Sequence, residues 1–318
     1  MTINYIILAH KSPEQVKRLI EKLSDVHTYF YVHVDKNVSI NPFLDESKDL
    51  KNVNYLPSDK RVSGTWGDIG IVKATVNAMI EIKASQRKGY VILLSGQDYP
   101  IQDNDYIYTY LKQNYGTNFI SRGLLSSSTL AYQGLDRINR YKVNISPKRG
   151  DYVQLFSVLE REFYTRKNLK KVLKLVWHNK YYFLPKLLSK RQFPKYLKPY
   201  VGSQWWALTT QMVNDIIKFV DQNPGYLKYH KYSLLPDEMF FQTIVMYLAE
   251  KKSDLIFKDS LTYVNWSRKN CDLPVTFTSS DFEELQDNPE KLYARKFDIE
   301  LDDEILNKID TKHCTNKI

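Results

Sequence analysis

The sequence predicts an α/β fold with a mostly parallel central sheet and a helical insertion. Three observations lead there. Short apolar runs of strand type alternate with longer segments of helical period through the first third of the chain, which is the pattern of βαβ units. No linker rich in Gly, Ser or Pro divides the 318 residues and no internal repeat is visible, so residues 1–318 are read as one domain. From about Asp151 to Leu197 the pattern turns helical and basic with little strand signal, and residues 151–200 are read as an insertion within that domain.

The elements follow in order. Ile3–Ala9 is apolar but for Asn4, the pattern of a buried strand. Pro13–Leu23 is a helix with Ser12 as N-cap and Pro13 at the first helical position, where a missing N–H costs nothing. Tyr29–Val34 and Val53–Leu56 read as strands, Ile69–Lys83 as a helix, Tyr90–Leu94 as a strongly apolar strand and Tyr106–Gln113 as a short helix. Beyond the insertion come a strand at Trp205–Thr209, a helix at Gln211–Val220, a helix starting near Glu238, a strand at Leu261–Asn265 and a C-terminal tail. Ligands of such sheets bind outside the carboxyl ends of the parallel strands. Those ends are His10 and Lys11, Asp35 and Lys36, and the segment Ser95-Gly96-Gln97-Asp98-Tyr99-Pro100.

Composition narrows the class. At 43% hydrophobic and 26% charged the chain has the balance of soluble globular proteins. Its 24 Tyr, 14 Phe and 5 Trp supply flat apolar faces with polar edges, which suit sugars, bases and interfaces. Two cysteines, Cys271 and Cys314, lie far apart, which argues for a reducing compartment and against a disulfide framework or a zinc site. No run is long and apolar enough to span a membrane, and the N-terminus lacks the pattern of a signal peptide, so a cytoplasmic location is expected.

The net charge of +10 is concentrated between Arg166 and Lys198, where Trp177, Tyr181, Tyr182 and Phe183 are interleaved with the cations. Three readings compete: a solvated helical face, a peripheral contact with anionic lipid headgroups, and nucleic-acid binding. The last is disfavoured because no recognition-module signature accompanies the charge.

Several motif classes are absent. No Gly-x-Gly-x-x-Gly follows the first strand, no phosphate loop of the Walker type occurs, and no His-Glu-x-x-His appears. Ser203, in Gly202-Ser203-Gln204-Trp205-Trp206, is not in a nucleophile elbow. The segment Leu235-Pro236-Asp237-Glu238 sets two carboxylates at the start of an apolar helix (Met239, Phe240, Phe241, Ile244, Val245, Leu248). A carboxylate on so rigid a support suits a general base, and an Asp before an apolar helix equally suits an N-cap. The two readings are compatible if Asp237 caps and Glu238 does chemistry.

Taken together, Leu94–Ile101, Gly202–Thr209, Pro236-Asp237-Glu238 and Ala294-Arg295-Lys296-Phe297-Asp298 occur in an order that resembles the core-2/I-branching β-1,6-N-acetylglucosaminyltransferases and the related protein O-xylosyltransferases, glycosyltransferase family 14. Ile7–Lys11, Val32–Lys36 and Trp66-Gly67 extend the resemblance from His10 to about Asp298, as a bacterial-type member. The resemblance implies a GT-A fold with a Rossmann-like sheet. It also implies an inverting transfer from a UDP-sugar to a glycan hydroxyl that needs no metal and no cofactor.

Residue by residue it makes Glu238 the catalytic base. Lys296, helped by Arg295, becomes the cation that takes the leaving diphosphate, and Asp35 the contact to uracil or ribose, with His10 and Lys11 beside the nucleotide. It sets Trp266 against the acceptor sugar. Ser95, Gln97 and Asp98 lie under the donor, with a turn-capping role equally open for Asp98, and Asp237 is counted with the donor- and acceptor-binding residues beside its capping role. A second family arginine falls near Asp272 and has no match here; Arg268 or Lys269 stands in. Trp205 and Trp206 are adjacent, so one lines the site while the other is buried. The only Asp-x-Asp match, Asp103-Asn104-Asp105, precedes a helix and is read as its cap.

GlcNAc is the first choice of sugar, with UDP-xylose, UDP-glucose and UDP-galactose as alternatives. A non-catalytic glycan- or membrane-binding relative is the rival reading. The expected partners are a UDP-sugar and a glycan or lipid-linked oligosaccharide, at the inner face of a membrane if the basic insertion binds lipid, and not nucleic acid.

Overall fold

The computed structural model describes residues 1–125 and 134–315. The strands, in chain order, are β1 (Thr2–Ala9), β2 (Thr28–Val34), β3 (Val53–Tyr55), β4 (Gly89–Ser95), β5 (Asp98–Pro100), β6 (Thr117–Ile120), β7 (Gly123–Leu124), β8 (Tyr141–Asn144), β9 (Tyr152–Leu155), β10 (Tyr200–Val201), β11 (Trp206–Thr209), β12 (Ile256–Lys258), β13 (Thr262–Val264) and β14 (Tyr293–Arg295). Seven of them form the central sheet in the order β12-β6-β11-β4-β1-β2-β3. β1 is parallel to β2 and β4, and β2 to β3; β11 runs antiparallel to both its neighbours. This is the mostly parallel α/β sheet expected.

The apolar runs are continuous because both faces of the sheet are covered. Alternate residues of β1 and β4 go to opposite layers. Ile3, Tyr5, Ile7, Tyr90, Ile92 and Leu94 pack with the helices Pro13–Leu23, Asn104–Gln113 and Glu304–Thr315. Ile6, Val91 and Leu93 pack with Ile69–Ala84, Thr210–Gln222 and Phe240–Ala249. Each fully buried Leu, Ile or Phe of this kind contributes about 1.5–3 kcal/mol of burial energy. The helix Pro13–Leu23 has the predicted bounds, but Ser12 sits at φ +49° and its hydroxyl makes no capping bond, so Pro13 alone marks the start.

A second sheet, β13-β14-β5, lies at the carboxyl edge of the first. Its register sets Arg295 opposite Asp98, Ala294 opposite Tyr99 and Tyr293 opposite Pro100. The stretch read as a tail is thus a strand, and it closes the loop after β4. A helix at Glu304–Thr315 follows it. β7 and β10 make a short antiparallel pair beside them.

The region of residues 151–200 is less helical than its sequence suggested. It opens on β9, which closes an antiparallel hairpin with the preceding β8, with Tyr141 opposite Leu155 and Asn144 opposite Tyr152. The helix Arg166–Trp177 and a 3₁₀ helix at Tyr181–Leu188 follow. They enclose a small core of their own around Tyr141, Leu155, Phe163, Leu175, Phe183 and Leu187. The strand signal was hidden because only two residues of β9, Val153 and Leu155, face that core. Among the described residues no helix is long and apolar enough to cross a membrane.

Candidate active site

The parallel strands end flush. Ala9 pairs with Val34 and Leu8 with Ser95, which brings His10, Asp35 and Ser95 to one edge. Asp35 is held by backbone donors: Gly64 N–H to Oδ2 at 2.6 Å and Asn37 N–H to Oδ1 at 2.8 Å. Its carboxylate therefore shapes the β2 loop, leaving its remaining lone pairs for a ligand. His10 lies at the exposed edge, yet desolvation, joined by the nearby Lys11 and Arg295 charges, holds its imidazole below its usual pKa.

The cations assigned to phosphate divide sharply. Lys11 pairs with Asp298 at 2.5 Å. Arg295 donates to Asp98 Oδ1 at 2.8 Å and to Ser95 Oγ, with its guanidinium 4.6 Å from the centre of the Trp205 ring. Asp98 is fully buried and its other oxygen accepts Ser95 N–H at 2.6 Å; burial raises its pKa while Arg295 opposes. Gln97 N–H donates to Ser95 Oγ and its carbonyl accepts Phe297 N–H, which ties this loop to the Lys296 strand. Arg268 is drawn to Asp281 and Glu284, at 2.7 and 2.6 Å, and these carboxylates raise its pKa. The stand-in for the second phosphate base is thus already neutralised. The carboxylates responsible come from a capping turn and a short helix at Ser279–Gln286, which spacing along the chain did not reveal.

Lys296 differs. Among the described residues its ammonium has no hydrogen-bond or ion-pair partner, and desolvation together with the Arg295 and Arg149 charges holds its pKa below the usual lysine value, with the Asp272 carboxylate opposing. Arg149, from the β8–β9 turn, was not singled out in the sequence. It bears on Lys296 electrostatically, and its guanidinium lies 5.2 Å from the centre of the Trp66 ring.

From Trp66 a continuous run of contacts leads to Glu238. The Trp66 carbonyl accepts from Lys142 Nζ at 3.2 Å. Lys142 is buried and pairs with Asp68 at 2.5 Å; burial lowers its pKa, while Asp68 and then Asp237 oppose. Gly67, at φ +71°, brings its carbonyl to Leu235 N–H, and a Cβ there would meet Leu234 at 3.4 Å. Leu235, itself at φ +50°, opens a 3₁₀ turn at Pro236–Glu238. The α-helix begins only at Phe240, so neither carboxylate stands in its first turn.

This overturns the capping role of Asp237. The N-cap position belongs to Met239, and no side chain caps there. Asp237 is instead buried, 4% exposed, and its Oδ1 has no partner among the described residues. Burial, reinforced by the Glu238 charge, pushes its pKa up to about 7. Glu238 is partly exposed and accepts from Arg137 Nη1 at 2.7 Å, an arginine only 4% exposed that the sequence reading missed. Its carbonyl accepts Gly202 N–H at 2.9 Å. Gly202 is required: a Cβ would lie 1.8 Å from the Ser121 carbonyl oxygen. So the Gly202–Trp206 segment and the Pro236–Glu238 turn form one unit.

Both adjacent tryptophans are buried in the same core, contrary to the expected division. Trp206 packs at 5.5 Å on Phe241, and Trp205 is covered by Arg295. Their alternation fails because β11 starts at Trp206, leaving Trp205 in the preceding turn. Trp266 is 58% exposed. Asp103 accepts Tyr106 N–H at 2.8 Å and caps the helix Asn104–Gln113, as expected for the lone Asp-x-Asp match. Among the described residues no group of three or more His, Cys, Asp or Glu could hold a metal ion.

The architecture is that of an α/β protein with a ledge of cationic side chains at the ends of its parallel strands. The family model of the Core-2/I-branching enzymes matches residues 3–286, and the chain belongs to that family of glycosyltransferases. Similar curated proteins are a xylosyltransferase of Ciona intestinalis, 24% identical over 98% of this chain and 34% of its own length, and xylosyltransferase 2 of Rattus norvegicus, 25% identical over 97% and 33%. Xylosyltransferase 1 of Homo sapiens is 24% identical over 97% and 30%. The chain thus spans about a third of the length of these relatives. Among solved structures, a UDP-glucose pyrophosphorylase mutant of Leishmania major in complex with UDP-glucose aligns over 70% of this chain and 52% of its own, at 11% identity and a TM-score of 0.28. That likeness is too weak to carry an argument.

Proposed function

We propose that this chain is an inverting glycosyltransferase that moves a sugar from a UDP-sugar to a hydroxyl of a glycan acceptor without a metal ion. Glu238 takes the proton of the acceptor hydroxyl as that oxygen forms its bond to the anomeric carbon. The bond from that carbon to the diphosphate breaks on the opposite face, and the electron pair leaves with UDP. An α-linked donor thereby gives a β-linked product. The charge that develops on UDP is met by Lys296, with Arg149 supplying the second cation that Arg268 does not. Arg137 is a positioning residue: its guanidinium fixes the Glu238 carboxylate.

One observation carries the reading. Glu238, the one partly exposed carboxylate of its turn, is tied through Leu235 to the Gly67 carbonyl next to Trp66, and Arg149, 5.2 Å from the centre of the Trp66 ring, bears electrostatically on Lys296, whose ammonium has no hydrogen-bond or ion-pair partner among the described residues. The family model supports the reaction class. The donor we assign first is UDP-GlcNAc, with UDP-xylose next because the curated relatives are xylosyltransferases.

The test is UDP release across a panel of UDP-GlcNAc, UDP-xylose, UDP-glucose and UDP-galactose, each with and without glycan acceptors. Acceptor-dependent release from any one of them supports transfer. UDP binding with no release from the whole panel would reduce the protein to a glycan-binding relative.

A further inference from the structure

The helix Arg166–Trp177 is amphipathic in an unusual sense, because the side it turns outward is itself divided. Asn168 and Leu175 are buried and Lys171 and Val172 are half-buried, so that stripe faces the β8–β9 hairpin. Lys171 donates to the Gln154 carbonyl at 2.7 Å and Lys174 pairs with Asp151 at 2.9 Å, which fixes the helix to the hairpin. Thr165 caps its start by accepting Asn168 N–H. The helix is therefore formed and anchored with its outer side committed to solvent.

On that outer side, at about 100° per residue, Leu169, Leu173 and Val176 form one flank and Lys167, Lys170 and Lys174 the other, with Arg166 and Trp177 between them. Leu173 is 67% exposed and Trp177 86% exposed. Tyr181 and Tyr182 continue the exposed apolar face beyond the helix end. Arg166, Lys167 and Lys170 have no carboxylate partner among the described residues, and the chain contains no Asp or Glu between Glu162 and Asp215. Part of the basic run is structural: Arg191 is buried on the carbonyls of Arg140, Tyr229 and Tyr232, and Lys198 pairs with Glu250. Apart from Lys174, which pairs with Asp151, the outer face of Arg166–Trp177 has no such internal use among the described residues.

We propose that this face docks on an anionic lipid bilayer. Leu169, Leu173, Val176 and Trp177 enter the headgroup–acyl boundary, while Arg166, Lys167 and Lys170 meet the lipid phosphates. An exposed apolar stripe of this size gains by leaving water. Trp and Tyr favour the interfacial depth, and the flanking cations remain at headgroup level with their stems on the apolar surface. A nucleic acid would engage the lysines but would leave the leucine stripe in water, so the side-by-side arrangement favours lipid. The surface stands independently of the transfer reading.

The test is co-sedimentation with vesicles of phosphatidylcholine alone or mixed with phosphatidylglycerol. Wild-type chain is expected to pellet with the mixed vesicles, and weakly with phosphatidylcholine alone. Each of Arg166→Gln, Lys167→Gln and Lys170→Gln should weaken partitioning about fivefold. The double variant Leu173→Ser/Trp177→Ser keeps every charge and should lose vesicle binding by at least about tenfold. All five positions are exposed, and unchanged UDP release and circular dichroism will report intact folding. The proposal is overturned by no sedimentation with anionic vesicles, by vesicle binding untouched by the serine double variant, or by a lipid-free dimer in light scattering that the same variant dissolves. Binding to an oligonucleotide that matches the vesicle affinity and ignores the serine variant would assign the face to polyanions instead.

Discussion

Glu238→Gln separates chemistry from architecture at this site. The amide keeps the side-chain length and an oxygen for Arg137 Nη1, now 2.7 Å from Oε2, so the turn at Pro236–Glu238 should hold its shape. What is lost is the ability to accept a proton. A positioned general base contributes about 10²–10⁴ in rate, or roughly 3–5 kcal/mol of barrier. The cost to folding is smaller. A hydrogen bond to a charged group contributes about 1.5–3 kcal/mol and a neutral one about 0.5–1.5, and Glu238, 28% exposed in its side chain, stands at the wet end of that range. A loss of about 1 kcal/mol lowers Tm by roughly 1–4 °C in a chain of this size. The assay pairs acceptor-dependent UDP release with calorimetric titration of UDP. Turnover should fall by at least about a hundredfold, while UDP affinity stays within about twofold because the base touches the acceptor and not the nucleotide. Turnover within about tenfold of wild type would remove Glu238 from the base role. A parallel collapse of UDP binding would mean the substitution had disturbed the ledge.

Four further outcomes are expected. Lys296→Ala should weaken UDP binding about 10–100-fold and Arg149→Ala about tenfold, the range for hydrogen bonds to charged groups, whereas Arg268→Ala should leave UDP affinity unchanged and lower Tm, because its partners are Asp281 and Glu284; the same titration and a melting curve read all three. Transfer should survive EDTA, since the lone Asp-x-Asp match is spent on capping Tyr106, and a strict Mn²⁺ requirement would overturn the metal-free reading. Burial lowers the pKa of His230 to about 3, so protonation in the unfolded chain destabilises the fold as pH falls below the ordinary histidine value. His230→Phe should therefore gain stability relative to wild type by roughly 2 kcal/mol between pH 6.5 and 5. Asp237 has the opposite sign: its pKa is raised to about 7, so its contribution is present in acid and lost as pH rises toward and through 7. Denaturation of Asp237→Asn against wild type should accordingly favour the variant most above pH 7.

The elements that local pattern alone dictates were legible in the chain. β1, β2 and β4 are predominantly apolar on both faces, with few polar residues such as Asn4 and His33, as expected of a sheet covered on both sides. Pro13 set the start of the first helix even though Ser12 does not cap it. The Pro236-Asp237-Glu238 turn was located, but the split of labour within it was not: a buried Asp237 and a 3₁₀ turn depend on Gly67 and Gly202, far away in sequence, pressing their backbones against it. Arg137 and Arg149 gave no local signal. An isolated arginine reads alike whether it is solvated or buried against a carboxylate a hundred residues on.

By itself, then, the sequence determined the α/β class, the strand ends where a ligand belongs and the residues that resemble a glycosyltransferase family, because these follow from periodicity and from motifs that are contiguous in the chain. Only the tertiary structure decided which charges are spent and which are free. Lys11, Arg268 and Arg295 form ion pairs with carboxylates across the fold, while Lys296 forms none among the described residues, feels Asp272 only at a distance, and has the Arg149 charge acting on it. Ion pairing depends on distances of a few ångströms between groups that the chain separates by tens to hundreds of residues, and only the completed packing sets those distances.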